Sequence, residues 1–411
     1  MTIPALDGIR VLDMTRLLPG PYATWLLAGM GADVVKVEQP GRGDYIRENW
    51  PRRGGMSTVF HLYNQNKRSV AIDLKHPEGS TAFLDLAGSA DVVIDGNRPG
   101  VLDRLGCGWD ACRRRTRALV WCAISGFGQE GPYAGRAGHD INYLSLSGAL
   151  GAMRDTRGAP IAPRVTIADM AGGGLMGAVG VLAALVGARA SGEGRFVDVS
   201  MTDSMVSLQG LRFAEELFPG EQPGAGADDR HLVEGERLPG NDWELGVYET
   251  ADGQFISLDP YEQRFKDELW KLVEDEGCGE RPPPDAGRLA VRRALADAIA
   301  RRPRSRWEAL FSTSEVCFAP VYDLQELPTD PNICQRGLLG TGMDATDPSP
   351  SMAMPIRFSP TAGVVDPLPA PRLGEHTLTV MRGAGWSDER IEAALAVGAL
   401  GGAVSTSEEF R

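Results

Sequence analysis

The chain has 411 residues, of which 43% are hydrophobic and 24% charged, with a formal net charge of -13 at pH 7. That length exceeds what one core usually holds, so two domains are expected, and the composition excludes a disordered chain. The acidic balance, with no long Lys/Arg block, excludes general nucleic-acid binding and leaves room only for a local basic pocket that takes a phosphorylated molecule.

Residues Met1 to Asp7 show no charged region followed by an apolar run, so no secretory signal is read and a cytoplasmic location is expected. Ile9 to Asp13 reads as a strand, Pro19 to Leu27 as a helix and Asp33 to Glu38 as a second strand, which is one parallel βαβ unit. The pattern continues with strands at Ser69 to Leu74, Asp91 to Asp95 and Ala118 to Ile124, and a helix from Pro77 to Gly88. The predicted fold is therefore α/β: a large Rossmann-like domain with an open, mostly parallel sheet wrapped by helices. The turn after the first strand, Met14 to Pro21, lacks GxGxxG, and no GxxxxGK[ST] occurs, so nicotinamide and ATP chemistry lose their usual support.

A long helix is predicted from Ala171 to about Ala188, a strand from Arg195 to Val199, and a helix from Met201 to Leu217. The apolar segment Leu175 to Val186 contains glycine and is shorter than the ~20 residues of a membrane span, so no membrane partner is expected. Segment 219–240 opens with a Gly/Pro/acid-rich run and reads as a linker. Beyond it, Trp243 to Thr250 and Gln254 to Asp259 form a hairpin about Ala251-Asp-Gly, with helices at Gln263 to Glu274, Leu289 to Arg301 and Ser305 to Ser312. The expected organisation is a large domain over 1–218, the linker 219–240, a small α+β domain over 241–321, and a return segment 322–411 that completes the large domain. The six cysteines, at 107, 112, 122, 278, 317 and 334, form no CxxC pair, so neither a metal site nor a disulfide framework is expected.

Chemistry concentrates in few places. His139 and Asp169, on neighbouring segments, could flank one carbon atom and move a proton from one face to the other; capping roles satisfy each residue equally well. Free amides at the helix start from Asp169 to Gly172 would stabilise an oxyanion beside them. Arg98 and Arg104 lie at the carboxyl end of a predicted parallel strand, where they read either as phosphate ligands or as solvated arginines. Glu262 on its own reads as a surface N-cap.

Leu6-Asp-Gly-Ile-Arg-Val-Leu-Asp, Gly29-Met-Gly-Ala-Asp-Val-Val-Lys-Val-Glu, Arg98-Pro-Gly, Gly138-His-Asp-Ile-Asn-Tyr, Ala251-Asp-Gly and Leu373-Gly-Glu-His-Thr follow one another almost end to end. In these motifs the chain resembles the family III CoA-transferases, and within them the alpha-methylacyl-CoA racemase branch. The resemblance implies two interlocked chains in a homodimer, with acyl-CoA as substrate and coenzyme A as part of it rather than a prosthetic group. It implies that Arg98 and Arg104 meet the CoA phosphates, that the Ile72, Asp73 and Leu74 backbone meets the adenine, and that Tyr143 belongs to the cofactor-binding set. It also matches the racemase catalytic pair to His139 and Asp169, with Glu262 orienting the histidine. Similar transferases keep the aspartate as a nucleophile and typically lack this histidine, so His139 points to the racemase branch. Gln39 departs from the basic residue that racemases often place near the phosphates. Arg164 and the segment Leu238 to Leu245 depart from their apolar and aromatic pattern.

Overall fold

The computed structural model describes residues 4–155, 157–217, 244–283, 285–341, 350–359 and 365–402; the expected linker 219–240 and Trp243 lie outside them. The chain gathers into two units, Met1–Phe213 with Arg336–Arg411, and Ala214–Gln335.

The first unit is built on six parallel strands: β1 (Arg10–Met14), β2 (Asp33–Glu38), β3 (Lys67–Ile72), β4 (Val92–Asp95), β5 (Val120–Ser125) and β6 (Phe196–Ser200). Their order is β3-β2-β1-β4-β5-β6, with a further two-residue strand, Leu400–Gly401, pairing antiparallel outside β3. Val92–Asp95 and Val120–Ser125 are buried throughout because both faces of the central sheet are covered, whereas the edge strand Phe196–Ser200 is exposed over its first half. Alternate side chains enter different cores: Leu12, Val35, Val93 and Trp121 pack with Met381 and Trp386 from the C-terminal segment. Val11, Val34, Ile94 and Ile124 pack with helix α1 (Pro19–Gly29) and with the helix Met176–Ser191.

The predicted long helix begins earlier than expected and in another geometry. Ala168–Leu175 is a π-helix that runs straight into the α-helix Met176–Ser191. The glycines explain how it fits: a Cβ on Gly173 would lie 2.7 Å from Pro19 Cβ, and one on Gly174 2.6 Å from Tyr22 Cδ1. Ala168–Ser191 is thus 24 residues long, and by length and composition alone it meets the requirement for crossing a membrane. Its Ala178, Val181, Leu185 and Ala188 are buried in the core of the unit, while Leu175, Val179 and Val186 on the other side are exposed.

The helix expected from Met201 to Leu217 is two, Met201–Ser207 and Gly210–Leu217. At the break the Gln209 side-chain amide donates to Ser147 O and Met205 O.

In the second unit, Gly246–Glu249 and Phe255–Leu258 pair antiparallel as the hairpin predicted, closed by Gly253 at φ 72°. A third strand, Phe318–Pro320, joins the other side of Phe255–Leu258. Helices Gln263–Asp275, Arg288–Ile299 and Arg304–Phe311 surround a core of Trp270, Leu295, Trp307 and Phe311.

Candidate active site

In an open α/β sheet, ligands collect at the carboxyl ends of the strands, where the strand order reverses. Here β1 is that point, with β2 on one side and β4 on the other. A cleft of about 310 Å³ opens there, lined by Met14 to Arg16 after β1, Glu38 and Gln39 at the end of β2, Ile72 to Lys75 after β3, and Asn97 with Leu102 after β4. Ile72, Asp73 and Leu74 therefore stand in the cleft wall, as does the divergent Gln39. Arg98 and Arg104 are exposed beside it, next to the lining residues Asn97 and Leu105.

Sequence reasoning missed Arg16. Its guanidinium donates to Tyr45 Oη at 2.9 Å and to Asn97 Oδ1 at 2.7 Å, and all three residues line the cleft. The signal was available, since Arg16 follows a parallel strand just as Arg98 does.

The turn carrying Arg16 is held from below by buried charges. Lys36 Nζ donates to Thr15 O at 2.9 Å and pairs with Asp44 at 3.0 Å, and Lys67 Nζ pairs with Asp13 at 3.1 Å. Burial works against an ionised Asp13, yet Lys36 and Lys67 hold its carboxyl well below the usual carboxylate range. Asp44 Oδ1 accepts from the amide of Leu17, which stands at φ 66°, a left-handed conformation unusual for a branched side chain.

The second cluster lies on the helix α2 (Asp140–Leu146) and the π-helix, which pack together. His139 is exposed at the N-cap of α2, and its amide donates to Asn142 Oδ1 at 3.0 Å. The next residue, Asp140, accepts at Oδ1 from the Asp169 amide at 2.9 Å, across 29 positions of sequence. Asp169 is not the N-cap that its local sequence suggests; Ile167 occupies that position and Asp169 sits within the first π turn. Burial first, and then the charge of Asp140, push the Asp169 carboxyl up from 3.8 to about 7.

Tyr143 is buried on the inner face of α2, and its hydroxyl donates to Gly138 O at 2.5 Å. Burial raises the phenol to about 12, helped by Asp169 and Asp140 and opposed by Arg98, so these four side chains share one neighbourhood. Two of the amides expected to receive an oxyanion are occupied, since Asp169 N–H goes to Asp140 and Met170 N–H to Thr166 O. An oxyanion at this site therefore cannot draw on those two amides.

The match to the CoA-transferase family III model covers residues 6–377, most of the chain. The chain belongs to that family. Alpha-methylacyl-CoA racemase from Homo sapiens is 32% identical over 94% of this family III chain and 95% of its own length. Succinyl-CoA:mesaconate CoA-transferase from Haloarcula hispanica is also 32% identical, over 94% of the chain and 99% of its own. A CAIB/BAIF family protein from Brucella suis matches the fold at a TM-score of 0.79 and 26% identity, over 93% of this chain and all of that one. The family III chain is thus an enzyme of the CoA-transferase and racemase superfamily, with relatives of both reaction types at equal identity.

Glu262 belongs to the second unit. It is the N-cap residue of Gln263–Asp275, is exposed, and makes no capping hydrogen bond. Arg164 is exposed in the segment before the π-helix. Among the described residues no group of His, Cys, Asp and Glu is arranged to hold a metal ion.

Proposed function

We propose that this enzyme inverts the α-carbon of a 2-methyl, or other 2-substituted, acyl-CoA thioester by a two-base 1,1-proton transfer. The observation that carries the reading is the 2.9 Å bond from the Asp169 amide to Asp140, which ties the residue next to His139 to the backbone of Asp169. A carboxyl held at about 7 can both take and give a proton near neutrality, as a base that must become the acid in the reverse direction requires. In the forward direction one of the pair removes the α-proton, leaving a planar enolate that the thioester carbonyl delocalises. The other returns a proton to the opposite face. The CoA portion lies in the switch-point cleft, with Ile72, Asp73 and Leu74 along the adenine and Arg98 and Arg104 toward the phosphates.

The same reading makes the protein a homodimer in which Glu262 orients the histidine. Leu175, Val179 and Val186, spaced 4 and 7 residues apart on one side of the long helix, support self-association because they form an apolar stripe left exposed by a single chain.

Incubation of one 2-methylacyl-CoA enantiomer in deuterated buffer is the test: α-deuterium and the opposite enantiomer appear without any acceptor acid. The transferase relatives favour a second reading, in which Asp169 attacks the thioester as a nucleophile. Its signature is CoA transferred to an added carboxylate, hydroxylamine trapping at Asp169 and no exchange.

A further inference from the structure

Asp140 has no part in the proton transfer just described, yet it is the group that joins the two halves of the cluster. Its backbone starts α2 immediately after His139, and its carboxylate accepts the Asp169 amide at 2.9 Å. The π-turn carrying Asp169 is also packed closely on its neighbours, with Gly172 and Gly173 against Met201 and Gly174 against Tyr22. Those contacts set how deep the turn sits but do not tie it to the His139 segment. The hydrogen bond from the Asp169 amide to the Asp140 carboxylate supplies that tie.

We propose that Asp140 is a positioning residue for the reaction, holding the His139 turn and the Asp169 turn in one register and presenting a second carboxylate to the Asp169 side chain. The inference rests on the racemase reading above. It requires that Asp140 be the charge that Asp169 faces. Among the elements packed on the π-turn, α1 brings Tyr22, α2 brings Asp140 and Tyr143, β5 carries Cys122, β6 carries Asp198, Met176–Ser191 carries Arg189 near its far end, and Met201–Ser207 carries Asp203. Arg98, in the loop after β4, acts on Tyr143 by its charge. Of these groups, Asp140 is the one whose charge acts on the Asp169 carboxyl, in the same sense as burial.

Two substitutions separate the two roles. Asn at 140 can still accept the Asp169 amide but carries no charge, whereas Ala removes both. An infrared carboxyl titration, read as wild type minus Asp169→Asn, follows Asp169 whether or not the protein turns over. Its midpoint falls by about one pH unit in Asp140→Asn, the size expected on losing a neighbouring like charge. In the exchange assay the acidic limb of kcat moves down by the same amount in Asp140→Asn, and its plateau rate stays within about threefold of wild type. Asp140→Ala lowers kcat by about 100-fold, as a misplacement of about 1 Å does, with KM for acyl-CoA little changed. An unmoved midpoint in Asp140→Asn, or wild-type kcat in Asp140→Ala while His139→Ala is inactive, overturns the proposal. A wild-type protein that exchanges no α-proton overturns the racemase reading instead, and the titration then still decides whether Asp140 acts on Asp169.

Discussion

At the scale of single residues, the cluster shows chemistry built at the expense of stability. Asp169 binds a proton more tightly in the folded chain than its ordinary value of 3.8 allows in the unfolded one. Its contribution to stability is therefore complete below about pH 4 and is lost as pH rises through about 7. Thermal melts of Asp169→Asn and wild type should coincide near pH 4, and the variant should melt higher at pH 8; a variant that melts lower at pH 8 contradicts the raised carboxyl. His139→Ala should reduce α-proton exchange by at least about 100-fold, the usual contribution of a positioned acid or base, and leave CoA affinity near normal. Arg98→Ala should weaken CoA binding about tenfold and change the chemical rate less, because an exposed arginine beside the cleft adds affinity without touching the α-carbon. Calorimetric Kd values set beside single-turnover rates separate the two effects.

At the scale of elements, two devices place the site. The first is the glycine run of the π-helix, where a Cβ on Gly173 would lie 2.7 Å from Pro19 Cβ, too close for a side chain, and 3.1 Å from Met201 Cγ. Gly173→Val should push the π-turn off α1 and lower both melting temperature and kcat, whereas Gly210→Ala, with nothing within 4 Å of the added methyl, should change neither. The second is the charge network under the Arg16 turn. Lys36 is fully buried between Asp13 and Asp44, and removing one member of a buried pair leaves an uncompensated charge. Lys36→Met should cost about 3 kcal/mol in urea unfolding and weaken acyl-CoA binding as the Arg16 turn loosens.

At the scale of the whole molecule, the proposed homodimer would bury the exposed apolar stripe of the long helix from both sides of a two-fold axis. Sedimentation should give twice the mass of the chain, and Val179→Asp with Val186→Glu should lower it or make the protein aggregate. A monomer in the wild type at micromolar concentration would remove the homodimer from the reading.

The sequence by itself determined the parallel sheet, because a strand covered on both faces is mostly apolar, and such runs are visible in Val92–Asp95 and Val120–Ser125 without any partner. It also determined the family, through motifs spread along the chain, and it marked His139, Asp169 and the Arg98 turn through residue types that a core does not need. Only the tertiary structure decided the rest. The edge strand Leu400–Gly401 is too short to carry a period and exists because β3 offers it a free edge. The π geometry at Asp169 depends on how closely Pro19, Tyr22 and Met201 approach, which glycines permit but do not announce. Arg16 became a cleft residue through Tyr45 and Asn97, and Asp140 became the tie to Asp169 through an amide 29 positions away. A local pattern reports what a segment can bury; which charges then face one another depends on contacts between distant segments, and those are set when the chain packs.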